Sequence, residues 1–463
     1  MDIKGKKVSV IGAGKSGIAA AELLVHEGAD VFVTELGAIG DKGLVTLQEM
    51  QIPYEESGHS ERVYDADFCV ISPGIPPFAP VVQAMQARGI PLYSEIEIAS
   101  LFCPARIVGI TGTDGKTTTS TIVHRICEED GHRNGYRSFS VGNIGVPFSS
   151  MVREMSAGDV AVVELSSYQL ERSPALRPDV AVITNITPDH LDRYNGDMQQ
   201  YAAAKFRIYA NQRPEDTLVY NADDPLLHTH FAADNAQFPF RIYPFGMGPV
   251  VKGERDRRLV LLDGDTVILR TDNGVERLIA TSEVLKKSFR GRHNISNVLA
   301  AVAVARALGI GNEPLLAALR SFRGVEHRQE FVKSIDGVDW VNDSKATNLN
   351  AMRQALESLP STAVLIAGGR DKGNDYTTIA ELVREKISLL IAIGESREKI
   401  FSAFDGIVPL KAAGSLEEAT LVAREVGEPG QTVLFSPGCA SFDMFANFEE
   451  RGERFKQCVH HLH

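Results

Sequence analysis

A short apolar run, a glycine-rich turn and an amphipathic stretch of helical length recur along this chain. That recurrence restricts the fold more than any single motif. The apolar runs are Val8–Ile11, Val31–Thr34, Phe68–Ser72, Ile107–Thr111, Val160–Val163, Val180–Thr184, Val364–Ala367, Leu389–Ile393 and Val433–Ser436. Stretches such as Thr117–Glu129, Ile295–Leu308 and Ala380–Lys386 lie between them. Such alternation predicts parallel sheets joined by crossover helices, an α/β fold. Val250–Leu278 reads instead as a hairpin excursion around the turn Asp263-Gly264. Breaks at Cys103-Pro104 and Arg323-Gly324 divide the 463 residues into blocks 1–103, 104–323 and 324–463. Three blocks suit domains of roughly 100–200 residues each.

The charge balance removes some partners. With 48 basic and 60 acidic residues the net charge is −12, which argues against general binding to nucleic acid or an anionic membrane. A small anion can still be held by converging backbone N–H groups. The five cysteines are scattered and form no CxxC pair, so they read as reduced thiols. No apolar run reaches the ~18 residues of a membrane span. Met1–Val10 lacks the apolar core of a signal peptide. A cytoplasmic protein is expected.

Four groups of residues carry chemistry. Gly12-Ala13-Gly14-Lys15-Ser16-Gly17 is a G-x-G-x-x-G after a strand and before a helix. Its glycines allow a tight turn and let backbone N–H groups approach a pyrophosphate. Glu35, ending the next strand, could bind a ribose hydroxyl. A turn needed only for strand–helix packing, a dinucleotide, or another ribose diphosphate would all fit this motif.

Gly109-Ile110-Thr111-Gly112-Thr113-Asp114-Gly115-Lys116-Thr117-Thr118 is more specific. A phosphate loop needs glycines, a lysine for the β/γ charge and a hydroxyl for Mg²⁺, roles that Lys116 and Thr117 fill. Its first glycine lies one residue earlier than in the standard spacing. Glu164 ends the strand Val160–Val163, and Asp189-His190 follow the strand Val180–Thr184, where an acid and a histidine can reach a metal at the loop mouth. Asn342–Asn348, Gly368–Gly373 and Ser436–Asp443 are three turns at strand ends in the last block, the edge at which open α/β sheets bind ligands.

The loop Gly109–Thr118, Glu164-Leu165-Ser166-Ser167 and Asp189-His190-Leu191-Asp192-Arg193-Tyr194 together resemble the Mur ligases of peptidoglycan synthesis. The turns Ser72–Pro76, Asn342–Asn348 and Ser436–Asp443, with Asn447–Gly452, are similar to the members that add D-glutamate to UDP-N-acetylmuramoyl-L-alanine. The likeness runs from Gly12 to Gly452. It implies a Rossmann-like N-terminal domain for the uridine nucleotide, a central P-loop-type ATPase domain with a parallel sheet, and a Rossmann-like C-terminal domain for the amino acid. It implies ATP with two Mg²⁺ ions, and a monomer is expected.

By position in that resemblance, Gly14, Lys15, Ser16, Glu35 and Gly74 would hold the UDP part, and Asn143 would lie near the muramoyl group. Thr113, Asp114, Gly115, Lys116, Thr117, Thr118, Thr119, Asn294, Asn297, Arg328 and Asp343 match ATP contacts. Thr117, Glu164, His190 and Lys205 match metal positions, Lys205 as a carbamate. Lys345, Thr347, Lys372, Ser441 and Phe448 match the reaction centre and the D-glutamate pocket. Asp114 stands where relatives often carry Asn. A dehydrogenase would leave the Lys116 loop without a purpose. A non-catalytic regulator would be expected to have lost Lys116, Glu164, His190 or Lys205, and all four are present.

Overall fold

The runs around Val8, Val108 and Leu365 are unbroken because parallel strands are covered by helices on both faces. A computed structural model describes residues 2–189, 191–231, 238–248, 259–271, 274–285, 291–371 and 373–462. Among them the strands form three sheets. The first runs Tyr54–Glu55, Asp30–Thr34, Lys7–Ile11, Phe68–Ile71, Leu92–Ser94, all parallel. Chain order reverses between Lys7–Ile11 and Phe68–Ile71, so the Gly12 turn leaves the sheet at its switch point.

The second sheet runs Gly274–Ala280, Thr266–Thr271, Leu259–Asp263, Arg241–Gly246, Thr217–Asn221, Val180–Ile183, Arg106–Thr111, Val160–Glu164, Ser138–Gly142. Its antiparallel pairs are confined to the last three strands in sequence, Leu259–Asp263 to Gly274–Ala280. The expected hairpin is therefore present, with Gly264 at φ +62° in its turn. It is part of the central sheet, joined through Gly246 opposite Leu261. Residues 250–258 and 272–273 of that reading lie outside the described residues.

The third sheet runs Glu330–Ile335, Val338–Asn342, Thr432–Phe435, Ala363–Gly368, Ile387–Ile393, Leu410–Ala412, antiparallel only in its first pair. The architecture is thus three α/β domains. The chain divides into two compact units, Met1–Thr281 with Ile295–Phe322, and Ser282–Asn294 with Arg323–His463. The first two sheets share one unit.

Local chemistry sets where the helices begin. The Ser94 hydroxyl accepts Glu97 N–H at 3.0 Å to open Glu95–Phe102, and Ser166 and Gln169 form a capping box on Ser167–Glu171. Asn447 accepts Glu450 N–H at 2.7 Å to open Phe448–His461. Among the described residues no helix is long and apolar enough to cross a membrane.

Candidate active site

In the first domain the register aligns Ile11 with Thr34 and Ile71, so three turns leave the same sheet edge. Gly12 adopts φ +96°, and a Cβ on Gly17 would overlap the Gly12 carbonyl oxygen. The glycines thus let the helix Lys15–His26 start directly against the strand. Glu35 accepts Ala13 N–H at 2.7 Å and Gly37 N–H at 3.2 Å, so its carboxylate braces the turn. The Ser72 hydroxyl donates to the Gly12 carbonyl at 3.3 Å, bringing the Gly74 turn alongside. Gly14 and Lys15 are exposed and Ser16 half-buried. Gly14 and Lys15 open on a cleft of about 600 Å³ that Ile18, Lys42 and Pro147 also line.

In the central domain the loop after Arg106–Thr111 is built as a cradle. Gly112 (φ +151°) and Gly115 (φ +81°) use backbone that other residues avoid. A Cβ at Gly112 would overlap the Thr184 hydroxyl, and one at Gly115 the Asn297 side chain. The helix Lys116–Asn134 begins at once, so its first N–H groups face the loop mouth. Lys116 Nζ donates to the Gly112 and Thr113 carbonyls at 2.9 and 2.8 Å. Asn185 tethers the loop from the neighbouring strand end: its side-chain oxygen accepts Asp114 N–H at 2.9 Å, and its amide donates to the Asp114 carbonyl at 3.1 Å. Thr113 shares a hydrogen bond with the Tyr201 hydroxyl at 3.1 Å. Thr118 and Thr119 are buried, and the Thr119 hydroxyl donates to Asn297 at 3.2 Å. Asn294 lies one turn before Asn297 on Arg292–Leu308.

Glu164 sits opposite Ile110 and Gly142 in the register. It is buried, and its Oε1 accepts the Asn143 amide at 3.1 Å. The Thr117 hydroxyl, in the first turn of Lys116–Asn134, and this carboxylate, at the end of Val160–Glu164, are hard oxygen donors. Such a set fits Mg²⁺, which pairs one or two carboxylates with phosphate oxygens and water. Lys205, on Met198–Phe206, is buried and donates to the Gly112 carbonyl at 2.8 Å. Burial, and then the neighbouring Lys116 charge, hold its ammonium well below the usual lysine range, against the pull of Asp189 and Asp114. His190 lies outside the described residues.

The third domain gathers a separate set. Asp343 is buried, accepting the Ser436 hydroxyl at 2.7 Å and Gln329 N–H at 3.2 Å. Burial pushes its carboxyl up to about 7, with Arg328 among the charges opposing that rise. Lys345 and Thr347 are half-buried on the turn after Val338–Asn342. Lys345 N–H donates to the His327 carbonyl at 3.0 Å, and Thr347 N–H to the Lys345 carbonyl at 2.8 Å. Ser441 is buried and Phe448 half-buried; the Phe448 carbonyl accepts the Ser344 hydroxyl at 2.8 Å. Lys372 lies outside the described residues.

Reading by motif took in Arg451 within Asn447–Gly452 but gave it no role. This buried arginine donates to the Ser344 hydroxyl at 3.0 Å, the Ser344 carbonyl at 2.8 Å and the Cys439 carbonyl at 3.0 Å. It ties the Lys345 turn to the Ser441 turn. Asn185 and Tyr201 were given no role either. For Arg451 the available signal was an arginine on the apolar side of the terminal helix.

Residues 7–81 match the MurD N-terminal domain, 110–305 the Mur ligase middle domain and 327–439 the Mur ligase glutamate ligase domain. A UDP-N-acetylmuramoylalanine–D-glutamate ligase of Pelodictyon phaeoclathratiforme is 71% identical over 100% of this chain and 99% of its own length. One of Chlorobium limicola is 61% identical over 99% of each. Among solved structures, the UDP-N-acetylmuramate–alanine ligase MurC of Thermotoga maritima superposes with a TM-score of 0.58 at 20% identity, covering 98% of this chain and 99% of that one. A pseudomurein peptide ligase type C of Methanothermus fervidus gives 0.55 at 20% identity over 98% and 99%. These two share the fold. With three successive domains matched and relatives aligned from end to end, the chain belongs to the Mur ligase family.

Proposed function

We propose that this protein joins D-glutamate to UDP-N-acetylmuramoyl-L-alanine in peptidoglycan precursor synthesis, cleaving ATP to ADP and phosphate. The observation that carries the reading is the Gly112–Lys116 cradle with buried Glu164 on the adjacent strand end. The relatives named for this activity, similar over the whole chain, support it. Domains 1–103, 104–323 and 324–463 would take the uridine nucleotide, ATP and the amino acid.

The loop N–H groups and Lys116 hold the β- and γ-phosphates. Thr117 and Glu164 would hold one Mg²⁺, and His190 with carbamylated Lys205 a second; these ions supply charge neutralisation on the transferring phosphoryl group. Asn294, Asn297, Arg328 and Asp343 position the nucleotide. The γ-phosphoryl group passes to the L-alanine carboxylate, giving an acyl phosphate. The D-glutamate amine attacks that carbonyl, a tetrahedral intermediate forms, and phosphate leaves. Such transfer needs positioning and charge more than covalent help from the protein. Lys345 balances charge at the reacting centre, while Thr347, Lys372, Ser441 and Phe448 seat the amino acid. Gly14, Lys15, Ser16, Glu35 and Gly74 seat the UDP part.

Phosphate release, assayed with each amino acid in turn and with or without UDP-N-acetylmuramoyl-L-alanine, tests this. Release should require Mg²⁺, that nucleotide and D-glutamate together. Lys116→Ala should lower it about 100-fold or more, as loss of a preorganised charge does. Release indifferent to D-glutamate would overturn the reading.

A further inference from the structure

Glu95 opens a helix of the first domain, yet only 2% of it is exposed. Its Oε1 accepts Ser149 N–H from the central domain at 2.5 Å. Its Oε2 is buried with no hydrogen-bond partner among the described residues. Burying a carboxyl group with one oxygen unpartnered is unfavourable, and docking alone does not require it. Ser94 N–H already donates to the Arg172 carbonyl at 2.8 Å, Ser94 and Ser173 hydroxyls share a bond of 2.7 Å, and Glu97 accepts Ala175 N–H at 2.9 Å.

Glu95 reaches the helix Phe148–Met151, against which Lys15–His26 also packs and which follows the turn carrying Asn143. Gly142 N–H closes that turn on the Val146 carbonyl at 2.9 Å. Asn143 in turn donates its N–H to the Glu164 carbonyl at 2.9 Å and its amide to Glu164 Oε1 at 3.1 Å. Hydrogen bonds at both ends, joined by the backbone from Val146 to Ser149, therefore link Glu95 to Glu164.

We infer that Glu95 is a positioning residue: by holding Ser149 it fixes the 142–147 turn, so that Asn143 meets the muramoyl group while keeping Glu164 aimed at the phosphate loop. The inference rests on the function proposed above.

Glu95→Met fills the same volume without an acceptor, and Glu95→Gln keeps an acceptor. In hydrogen exchange, Glu95→Met should speed amide exchange in residues 142–151 and leave 106–111 unchanged. In the ligase assay it should lower kcat/KM for the nucleotide-sugar about tenfold and leave the KM for D-glutamate within about twofold, whereas Glu95→Gln should stay within about threefold of the parent. Because it acts through Asn143, Glu95→Met should add nothing to the loss already caused by Asn143→Ala. Additive losses, unchanged exchange at 142–151, or a Glu95→Gln as impaired as Glu95→Met would overturn it. A parent protein with no ligase activity would reject the functional reading alone, since the exchange data still decide the link.

Discussion

Lys205 Nζ donates to the Gly112 carbonyl at 2.8 Å from a side chain that is 2% exposed. A buried lysine beside the positive Lys116 favours its neutral amine. A neutral amine adds CO₂ through a new N–C bond and releases a proton to solvent, and the carbamate left is an anionic oxygen donor of the kind Mg²⁺ prefers. Protein equilibrated with ¹³C-bicarbonate should therefore show one carbamate carbon resonance that is missing from Lys205→Ala. Acetate should restore part of the activity of that variant. A fully active Lys205→Ala would reduce this lysine to a structural role.

The two inner glycines of the first turn differ in what they can accept. Gly17→Ala drives a methyl group into the Gly12 carbonyl, a backbone clash that should cost about 2 kcal/mol or more. Gly14 sits at φ −72° with open space around its Cα. Gly14→Ala should leave stability within about 0.5 kcal/mol. Urea denaturation of both variants separates a packing requirement from a binding one.

Asp343 makes the stability of its domain depend on pH. Burial raises its carboxyl from 3.8 to about 7, so the folded state keeps a proton that the unfolded state releases. The stabilisation is complete below the unfolded value and is lost as pH rises through about 7, at a limiting slope of about 1.4 kcal/mol per pH unit. Asp343→Asn, which cannot ionise, should flatten the fall in melting temperature between about pH 4 and pH 7. An equally steep profile in the variant would place the titration elsewhere.

Arg451→Ala should weaken D-glutamate handling without touching the substrate. It strands the Ser344 and Cys439 carbonyls in the interior, and unpaired buried groups cost about 1–3 kcal/mol each. The Lys345 and Ser441 turns lose their common tie. The KM for D-glutamate should rise well above that for the nucleotide-sugar, with a lower melting temperature. Equal rises in both would mean that Arg451 supports the fold in general.

Local order made much of this protein readable. The runs Val8–Ile11 and Val160–Val163 fall on the strands Lys7–Ile11 and Val160–Glu164 because two-sided burial forces continuous apolar sequence. The Gly12–Gly17 and Gly109–Thr118 turns were legible because a phosphate cradle is made by neighbouring residues whose backbone must turn tightly. Ser138–Gly142 was missed: it is an edge strand with two serines and only its last two residues buried. Thr217–Asn221 was missed as well: polar residues at both ends leave three apolar residues in its middle.

Sequence alone therefore determined the α/β alternation, the glycine turns and the resemblance on which the site residues were placed. Tertiary structure decided which ordinary residues became special. Glu95 meets Ser149 across 54 positions and Arg451 meets Ser344 across 107, and nothing near either in sequence marks the pairing. Their weight comes from burial. A carboxyl or guanidinium group removed from water is held by a few directed hydrogen bonds, and only the folded chain brings those partners within reach.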